Sequence, residues 1–258
     1  MKQILVLIFL SIFVSAGCSS WRVDNTLTDV ETYIMERPDS ALMVLDSIDR
    51  TLLTTDRLKA HHALLHAMAL DKNYIDVDDD SLASIAVRYY SRKGPEKYEA
   101  RSLYYLGLSY FYAKDYGKAV IELTKAEKVS EKADSMYLGF VKMLQANIYA
   151  ATHNDDEALK YYREASGIYS KLSLPYYRNV AQWNLAKTLY NVGSVAEADS
   201  ILASIIALQD VDVRIKAYAT ADRAFFNTSQ VFSDFHNAVS LYESVVRDYS
   251  NTYMTNKD

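Results

Sequence analysis

An alanine-led stripe of hydrophobic positions recurs along the chain. Ala119, Leu123 and Ala126 follow one another at offsets of four and three residues, which places their side chains on one face of an α-helix. The four clear copies start 39, 40 and 40 residues apart. A fixed period of this length predicts repeated helical units. The other copies begin at Ala158, Ala198 and Ala238, with looser ones at Ala41 and Ala83.

A second hydrophobic stripe precedes each alanine-led copy. Before Ala119 it contains Leu103, Leu106 and Tyr110, so each unit is predicted to be a helix, a short turn and a second helix. The chain has only 7 Gly and 3 Pro among 258 residues, which favours helices over the many turns of a β-sandwich. We therefore predict an all-α fold, an α–α superhelix (solenoid) of about six helix pairs with a concave inner wall.

Residues at the predicted helix ends agree with this pattern. Ser194 and Glu197 fit a capping box, and Asn154 offers a similar cap to an earlier helix. The one long connection runs over 71–80, where Asp79 or Asp80 is expected to cap the helix that follows. Proline is tolerated at the start of a helix. The three prolines that stand at such positions are Pro38, Pro95 and Pro175.

The best-defined unit resembles the tetratricopeptide repeat family. Its residues Leu103-x2-Leu106-Gly107-x2-Tyr110-x8-Ala119-x3-Leu123-x2-Ala126 follow the family signature, except that Leu103 replaces a Trp and Glu131 a Pro. The resemblance covers residues from about 27 to 250, and its period near 40 residues exceeds the usual 34 of the family. It implies a scaffold that binds a partner on the concave wall.

In this family, recurring positions of each first helix face the concave groove. Aromatic, amide and basic side chains there would suit an extended peptide, because rings supply contact area and amides bond to its backbone. The other interpretation is that several of the aromatic residues only pack between helices. The corresponding residues are Arg101, Tyr104, Leu108, Phe111, Tyr112, Asn147, Trp183, Lys187, Tyr190, Asn191, Arg223 and Asn227.

The first twenty residues are typical of an export signal. Lys2 precedes an apolar run of eleven residues, Ile4 to Val14, which is too short for a spanning helix of about 20 residues. The following small residues and the only cysteine, Cys18, resemble a bacterial lipobox, although Ser15 stands where Leu is usual. An ordinary secretory signal is the alternative. The predicted segments are 1–17 (signal peptide), 18–26 (lipidated N-terminus and linker), 27–250 (repeat domain) and 251–258 (tail).

Composition and motifs argue against several other functions. The net charge is −5 and no run of basic residues occurs, so no nucleic-acid partner is expected. Asp76 begins an acidic run that lacks the Gly and Glu of a calcium loop. His62 and His66 are four residues apart without the Glu of a metalloprotease motif, and we interpret them as incidental imidazoles. No catalytic motif occurs, so neither an enzyme nor a cofactor is expected.

The resemblance extends to tetratricopeptide lipoproteins of Bacteroides-like bacteria. It implies a membrane-anchored scaffold that binds a protein or peptide, with the sensor or adaptor arm of an envelope signalling system as the expected role. The residues directly after Cys18, Ser19 to Arg22, include no acid, which favours the periplasmic face of the outer membrane. The alternative is a glycan-binding lipoprotein of a polysaccharide uptake system. Exposed, coplanar Tyr and Trp rings would favour glycans, and aromatics confined to the groove would favour peptides. The oligomeric state stays open.

Overall fold

The computed structural model describes residues 21–228 and 239–246, and every regular element within these two ranges is helical. The predicted all-α fold is therefore confirmed for the described residues. The helices are α1 (21–33), α2 (Pro38–Ser47), α3 (Asp56–Lys72), α4 (Ser81–Tyr90), α5 (Glu96–Tyr112), α6 (Tyr116–Ala133), α7 (Ser135–Ala151), α8 (Asp155–Lys171), α9 (Pro175–Asn191), α10 (Val195–Ile206), α11 (Val213–Asn227) and α12 (239–246), with a short 3₁₀ helix at Arg50–Leu52.

The chain divides into two compact units, Met1–Asp134 and Ser135–Asp258. Within each unit, helices that follow one another along the chain pack together, and two first helices of successive pairs also meet. These additional contacts join α3 to α5 in the first unit and α9 to α11 in the second. Packing between sequence neighbours is what stacked helical hairpins require.

The alanine-led stripes form the core of both units. Ala119, Leu123 and Ala126 have no exposed surface, which confirms that this stripe faces inward. In the second unit the stripes that begin at Ala158 and Ala198 are also buried, with Tyr162 exposed by only 3% and the other members not at all. The last copy differs because Tyr242 is 40% exposed, while Ala238 lies outside the described residues.

Close approach of paired helices depends on two glycines. A Cβ atom on Gly107 would lie 2.8 Å from Leu123 Cγ, so the absence of a side chain lets α6 approach α5. In the second unit, a Cβ on Gly139 would lie 2.5 Å from Tyr169 Cε1, at the contact of α7 with α8. Gly107 belongs to the family-like signature, and the structure supplies the physical reason for a glycine there.

Four first helices end in the same left-handed turn. The residue after the C-cap has a positive φ at Tyr74, Lys114, His153 and Gly193. The Asp115 N–H then donates to the Tyr110 carbonyl at 2.9 Å, which satisfies a carbonyl that the helix leaves unpaired. Equivalent bonds close the other three turns. These turns recur with the period of the alanine-led stripes.

Helix starts carry the prolines and acidic residues that the sequence placed there. Pro38 and Pro175 open α2 and α9, and Pro95 directly precedes α5, as predicted. Asp80 stands at the N-cap of α4 and its side chain makes no capping hydrogen bond, whereas the carboxylate of Asp79, one residue earlier, accepts a 2.8 Å hydrogen bond from the Ser81 N–H. Of the two predicted caps, only Asp79 thus supplies a partner for an N–H at the start of the helix. The acidic run therefore has a structural use at the start of α4.

The predicted capping box is wrong. Ser194 stands at the N-cap of α10, but its side chain makes no capping hydrogen bond, and neither does that of Asn154 before α8. Glu197 instead lies 3.2 Å from Arg163 of α8, so its carboxylate is engaged away from the N-cap backbone.

The first helix includes residues 21–26, for which the sequence had suggested a linker. Val23, Leu27 and Val30 are buried, and offsets of four and three place them on one helical face. This stripe has no leading alanine, which explains why the repeat pattern did not reveal it.

Candidate partner-binding site

One face of α9 carries four of the residues that the sequence assigned to a partner-binding groove. The buried face of this helix contains Ala181, Leu185 and Leu189, which join the core of the second unit. The remaining side presents half-buried and exposed side chains. The four residues are Trp183, Lys187, Tyr190 and Asn191.

Trp183 is held by side chains of the neighbouring first helix. Its ring stacks on Tyr218 with centroids 5.2 Å apart and an interplanar angle of 14°. The indole N–H donates a 2.6 Å hydrogen bond to Asp222 Oδ2. The Lys187 ammonium lies 4.8 Å from the centre of the indole ring, a distance at which a cation is attracted by the ring. These contacts fix the orientation of a half-buried Trp.

A second ring pair lies at the C-terminal end of α9. Tyr190 stacks on Phe226 with centroids 4.0 Å apart, and Phe226 is buried in the core. Phe225 lies 5.7 Å from Tyr190 and is 52% exposed. We call the combined set the α9–α11 surface; it consists of Trp183, Lys187, Tyr190, Asn191, Tyr218, Asp222 and Phe225.

Asp222 is the acidic group of the α9–α11 surface. Burial raises the pKa of its carboxyl, while the Trp183 hydrogen bond and the charge of Lys187 act in the opposite direction. One carboxylate, one ammonium and several rings therefore lie on a single face. Such a face can bond to polar groups of a peptide and cover its apolar side chains.

The groove residues predicted on α5 have internal partners in the first unit. Arg101 donates hydrogen bonds to Glu31 Oε1 at 3.2 Å and to Asp134 Oδ2 at 2.8 Å. Tyr104 and Leu108 are buried, at 7% exposure each. These three residues are engaged in holding the unit together.

Phe111 and Tyr112 lie at the end of α5 and are half-buried. Tyr112 borders a cavity of about 20 Å³ that Asp71, Val77 and Leu108 also line. This volume is about that of one water molecule and too small for a side chain of a partner. Burial raises the pKa of Tyr112, and the nearby carboxylates of Asp71 and Asp76 add to the effect.

The remaining predicted groove residues bridge neighbouring helices of the second unit. The Tyr162 hydroxyl donates a 2.8 Å hydrogen bond to Asn147 Oδ1. Arg223 donates two hydrogen bonds to Asp199, at 2.7 and 3.1 Å, and thereby joins α11 to α10. Asn227 is buried and donates to the Arg223 carbonyl.

Sequence reasoning missed three members of the α9–α11 surface. Tyr218, Asp222 and Phe225 follow one another at offsets of four and three residues, which is the signal that could have found them. The family resemblance instead implied Arg223 and Asn227 as groove residues of this helix. Those two side chains turn to Asp199, so the adjacent stripe of α11 faces α9.

The histidines of α3 hold α2 in place. His62 Nε2 donates to the Leu45 carbonyl at 3.0 Å, and His66 Nε2 lies 3.0 Å from Asp46 Oδ1. Both rings are buried, so they are structural links and not the incidental imidazoles expected. Among residues 21–228 and 239–246, no three His, Cys, Asp or Glu side chains are grouped to hold a metal ion.

The sequence matches no protein-family model and no curated protein. Solved structures do match: BtubC (BKLC) from P. vanneervenii has a TM-score of 0.63 at 16% identity, over 92% of this chain and 92% of that one. A kinesin light chain from Podosopora anserina with nearly identical TPR-like repeats has a TM-score of 0.60 at 20% identity, over 76% and 97%.

A further match is the Rap protein complexed with Competence and Sporulation Factor, with a TM-score of 0.64 at 16% identity. It covers 90% of this chain and 66% of the Rap chain. The fold is tetratricopeptide-like. At these identities the likeness concerns the fold alone, and it confirms that part of the predicted resemblance.

The predicted lipid attachment site, Cys18, lies outside the described residues, as do the rest of the signal segment and the tail 251–258. Among the helices that the structure describes, none combines the length and the apolar character needed to cross a bilayer.

Proposed function

We propose that this chain is a membrane-anchored helical repeat scaffold that binds a protein or peptide partner through the α9–α11 surface. It would serve as the sensor or adaptor arm of an envelope signalling system, and we assign it no catalytic step. The observation that carries the proposal is the half-exposed aromatic face of α9 and α11, which is anchored by the buried Phe226 and by the hydrogen bond between Trp183 and Asp222.

The chemistry of this surface supports a peptide or protein ligand. Phe225 offers an exposed ring, Lys187 an exposed ammonium and Asn191 an exposed amide. Aromatic side chains surrounded by polar groups are the usual anchors of protein recognition. The tetratricopeptide-like fold also supports this proposal, since the similar Rap protein is complexed with Competence and Sporulation Factor.

The ring contacts favour a peptide over a glycan. A sugar would stack on a free aromatic face, but the Trp183 ring is already stacked on Tyr218 and contacted by Lys187. Tyr190 is likewise stacked on Phe226. We therefore propose a protein or peptide as the ligand, and glycan binding is a result that would contradict this proposal in the experiment below.

Anchoring is the second part of the proposal. It rests on the apolar run from Ile4 to Val14 and on the lone Cys18 behind small residues. An acylated Cys18 would hold the scaffold at the outer membrane, facing the periplasm, because two or three acyl chains give stable attachment.

Cross-linking in intact cells would test the binding surface. A Lys187→Glu, Phe225→Ser double variant changes two exposed positions of the α9–α11 surface. The matched control is Lys171→Glu, Leu172→Ser, which changes an exposed cation and a 37% exposed apolar residue at the end of α8. We expect a discrete set of protein partners to be lost from the first variant and retained by the control.

An unchanged set of partners in the first variant would overturn the proposed surface. Retention of the chain on polysaccharide gels, lost in a Trp183→Ala variant, would instead establish the glycan alternative. The anchor is tested separately with Cys18→Ser: incorporation of labelled palmitate and recovery in the membrane fraction should both be lost. If membrane recovery persists in this variant, the lipid anchor is wrong whatever the partner experiment shows.

A further inference from the structure

A second surface, in the first unit, has chemistry that the α9–α11 surface does not provide. The segment Arg50–Leu53, the N-terminal half of α3 and helix α4 enclose an open cleft of about 530 Å³. Its floor is apolar and its rim is cationic. We call it the basic cleft; its floor contains Leu53, Ala63, Leu82 and Ile85, and its cations are Arg50, Lys59, Arg88, Arg92 and Lys93.

The charges of the basic cleft are unbalanced. Asp56 is the only acid among the residues that line it, against five cations. All five cations are exposed, and none makes an ion pair with another described residue. By contrast, Arg57 next to the cleft pairs with Asp24 at 2.7 Å. A chain with net charge −5 thus concentrates unpaired positive charge in one concavity.

Helix dipoles explain only part of this cluster. Arg88 lies in the last turn of α4, where the helix dipole favours cations. Lys59, however, lies near the N-terminus of α3, where the dipole disfavours them. Arg50 and Lys59 therefore add to the positive end of α3, while α4 contributes cations from the opposite wall. The arrangement creates a region of positive potential that attracts anions.

The floor indicates what kind of anion fits. Ile85 is 40% exposed although it is a large apolar residue, and Leu82 and Tyr89 beside it are half-buried. A simple phosphate or sulfate would leave this apolar surface uncovered. We propose that the basic cleft binds an acidic peptide segment that carries an apolar side chain: carboxylates meet the rim cations, and the apolar side chain covers Ile85 and Leu82.

A direct test uses a fluorescein-labelled Glu-Glu-Leu-Glu-Glu peptide and the purified full chain, with fluorescence anisotropy at about 50 mM salt, where screening is modest. The variant Lys59→Glu, Arg88→Glu reverses one cation on each wall. The matched control, Lys128→Glu, Lys132→Glu, makes the same charge change at exposed positions of α6 in the same unit. We expect the first variant to bind at least about tenfold more weakly and the control to change by less than about twofold.

A separate variant tests the contact between Ile85 and the apolar side chain of the peptide. Ile85→Ser should weaken binding of this peptide, but not of a Glu-Glu-Ser-Glu-Glu peptide, and circular dichroism should show every variant helical. Equal weakening in both charge variants would mean non-specific attraction and would overturn the proposal. So would failure of the peptide to bind while a Cys18→Ser chain, which lacks the proposed lipid anchor, binds vesicles of phosphatidylglycerol but not of phosphatidylcholine, since the cleft would then recognise an anionic lipid surface. Complete displacement of the peptide by millimolar inorganic phosphate would also overturn the proposal, because phosphate has no apolar group to cover Ile85 and Leu82.

Discussion

The Tyr98 hydroxyl donates a 2.7 Å hydrogen bond to Glu31 Oε2 and thereby joins α5 to α1. Lys97 and Arg101 of α5 reach the other carboxylate oxygen at 3.4 and 3.2 Å, and His61 Nε2 lies 3.5 Å from Oε2. Burial raises the pKa of Glu31, but the nearby His61 ring, the hydrogen bond from Tyr98 and the charge of Lys97 outweigh it and hold the pKa at about 2. One carboxylate thus connects three first helices of the unit.

This network predicts a loss of stability in acid. The pKa of Glu31 is lower in the folded chain than its ordinary value of 4.5, so the stabilisation is complete above pH 4.5 and disappears as the pH falls towards 2. After allowance for solvent screening, we expect about 2 kcal/mol of unfolding free energy to be lost in this window. Urea unfolding at several pH values would measure it. Glu31→Gln should flatten the pH dependence, whereas Asp29→Asn, at an exposed position of α1, should leave it unchanged.

The paired histidines of α3 predict a second transition nearer neutrality. Burial lowers the pKa of both His62 and His66, and His66 Nδ1 is buried without a hydrogen-bond partner. The folded chain therefore favours neutral rings, so stability is present above about pH 6.5 and falls as acidification protonates the unfolded chain first. Thermal unfolding should shift to lower temperature between about pH 7 and pH 5. A His62→Gln, His66→Gln variant should lose this dependence. The exposed His153 provides the control, His153→Gln, and an equal effect there would contradict the assignment.

Helix contact at glycine gives a prediction about packing. Gly107→Ala and Gly139→Ala force a Cβ against Leu123 and Tyr169, and each should destabilise the chain by about 1–3 kcal/mol. Gly167 of α8 is the matched control because a Cβ there meets nothing within 4 Å. Gly167→Ala should stabilise by about 0.5–1 kcal/mol, since alanine is the better helix former. Chemical denaturation of the three variants would compare them. Similar stability changes in all three would show that paired helices do not meet at these glycines.

The recurring left-handed turns predict stabilising substitutions. Lys114 has φ 58° and His153 has φ 58°, a conformation that a side chain disfavours, whereas Gly193 occupies the same turn position with φ 84°. Lys114→Gly and His153→Gly should therefore each stabilise the chain by up to about 1 kcal/mol, and Gly193→Ala should destabilise it by a similar amount. Thermal unfolding midpoints of the three variants would show their order of stability. Destabilisation by both glycine substitutions would contradict the turn geometry.

Sequence periodicity was sufficient to predict the fold. Stripes such as Ala119, Leu123 and Ala126 are buried because spacing alone determines which face of a helix they share. The same periodicity could not determine side-chain partners. Arg223 was expected in the groove, yet it turns to Asp199, which lies 24 residues earlier on another helix. An ion pair of this kind depends on how two helices meet, and no local pattern records it.

The basic cleft and the α9–α11 surface likewise could not be predicted as complete sets of residues from the sequence. The cations of the basic cleft come from three separate segments, so no basic run appears in the sequence. Trp183 was predicted on the groove wall, but its partners Tyr218 and Asp222 come from the next first helix. Sequence can therefore suggest single surface residues on one helix, while the sets that they form depend on packing between helices.

The hydrogen bond between Trp183 and Asp222 gives a spectroscopic prediction. The chain contains only two tryptophans, so Trp21→Phe leaves Trp183 as the single indole emitter. Burial raises the pKa of Asp222 above the ordinary 3.8, and the carboxylate accepts the indole N–H at 2.6 Å. Because protonation of Asp222 weakens this bond, Trp183 emission should titrate at a pH above 3.8, and Asp222→Asn should abolish the titration.

Asp210→Asn, at an exposed position before α11, is the matched control and should preserve the titration. Trp183→Phe should destabilise the chain by about 1–3 kcal/mol, because it leaves a half-buried carboxylate without its donor. A ligand on the α9–α11 surface would change the surroundings of both groups, so its binding should shift the emission of the Trp21→Phe variant. If emission titrates identically in Asp222→Asn, the indole does not report on this carboxylate and the structural basis of the surface is wrong.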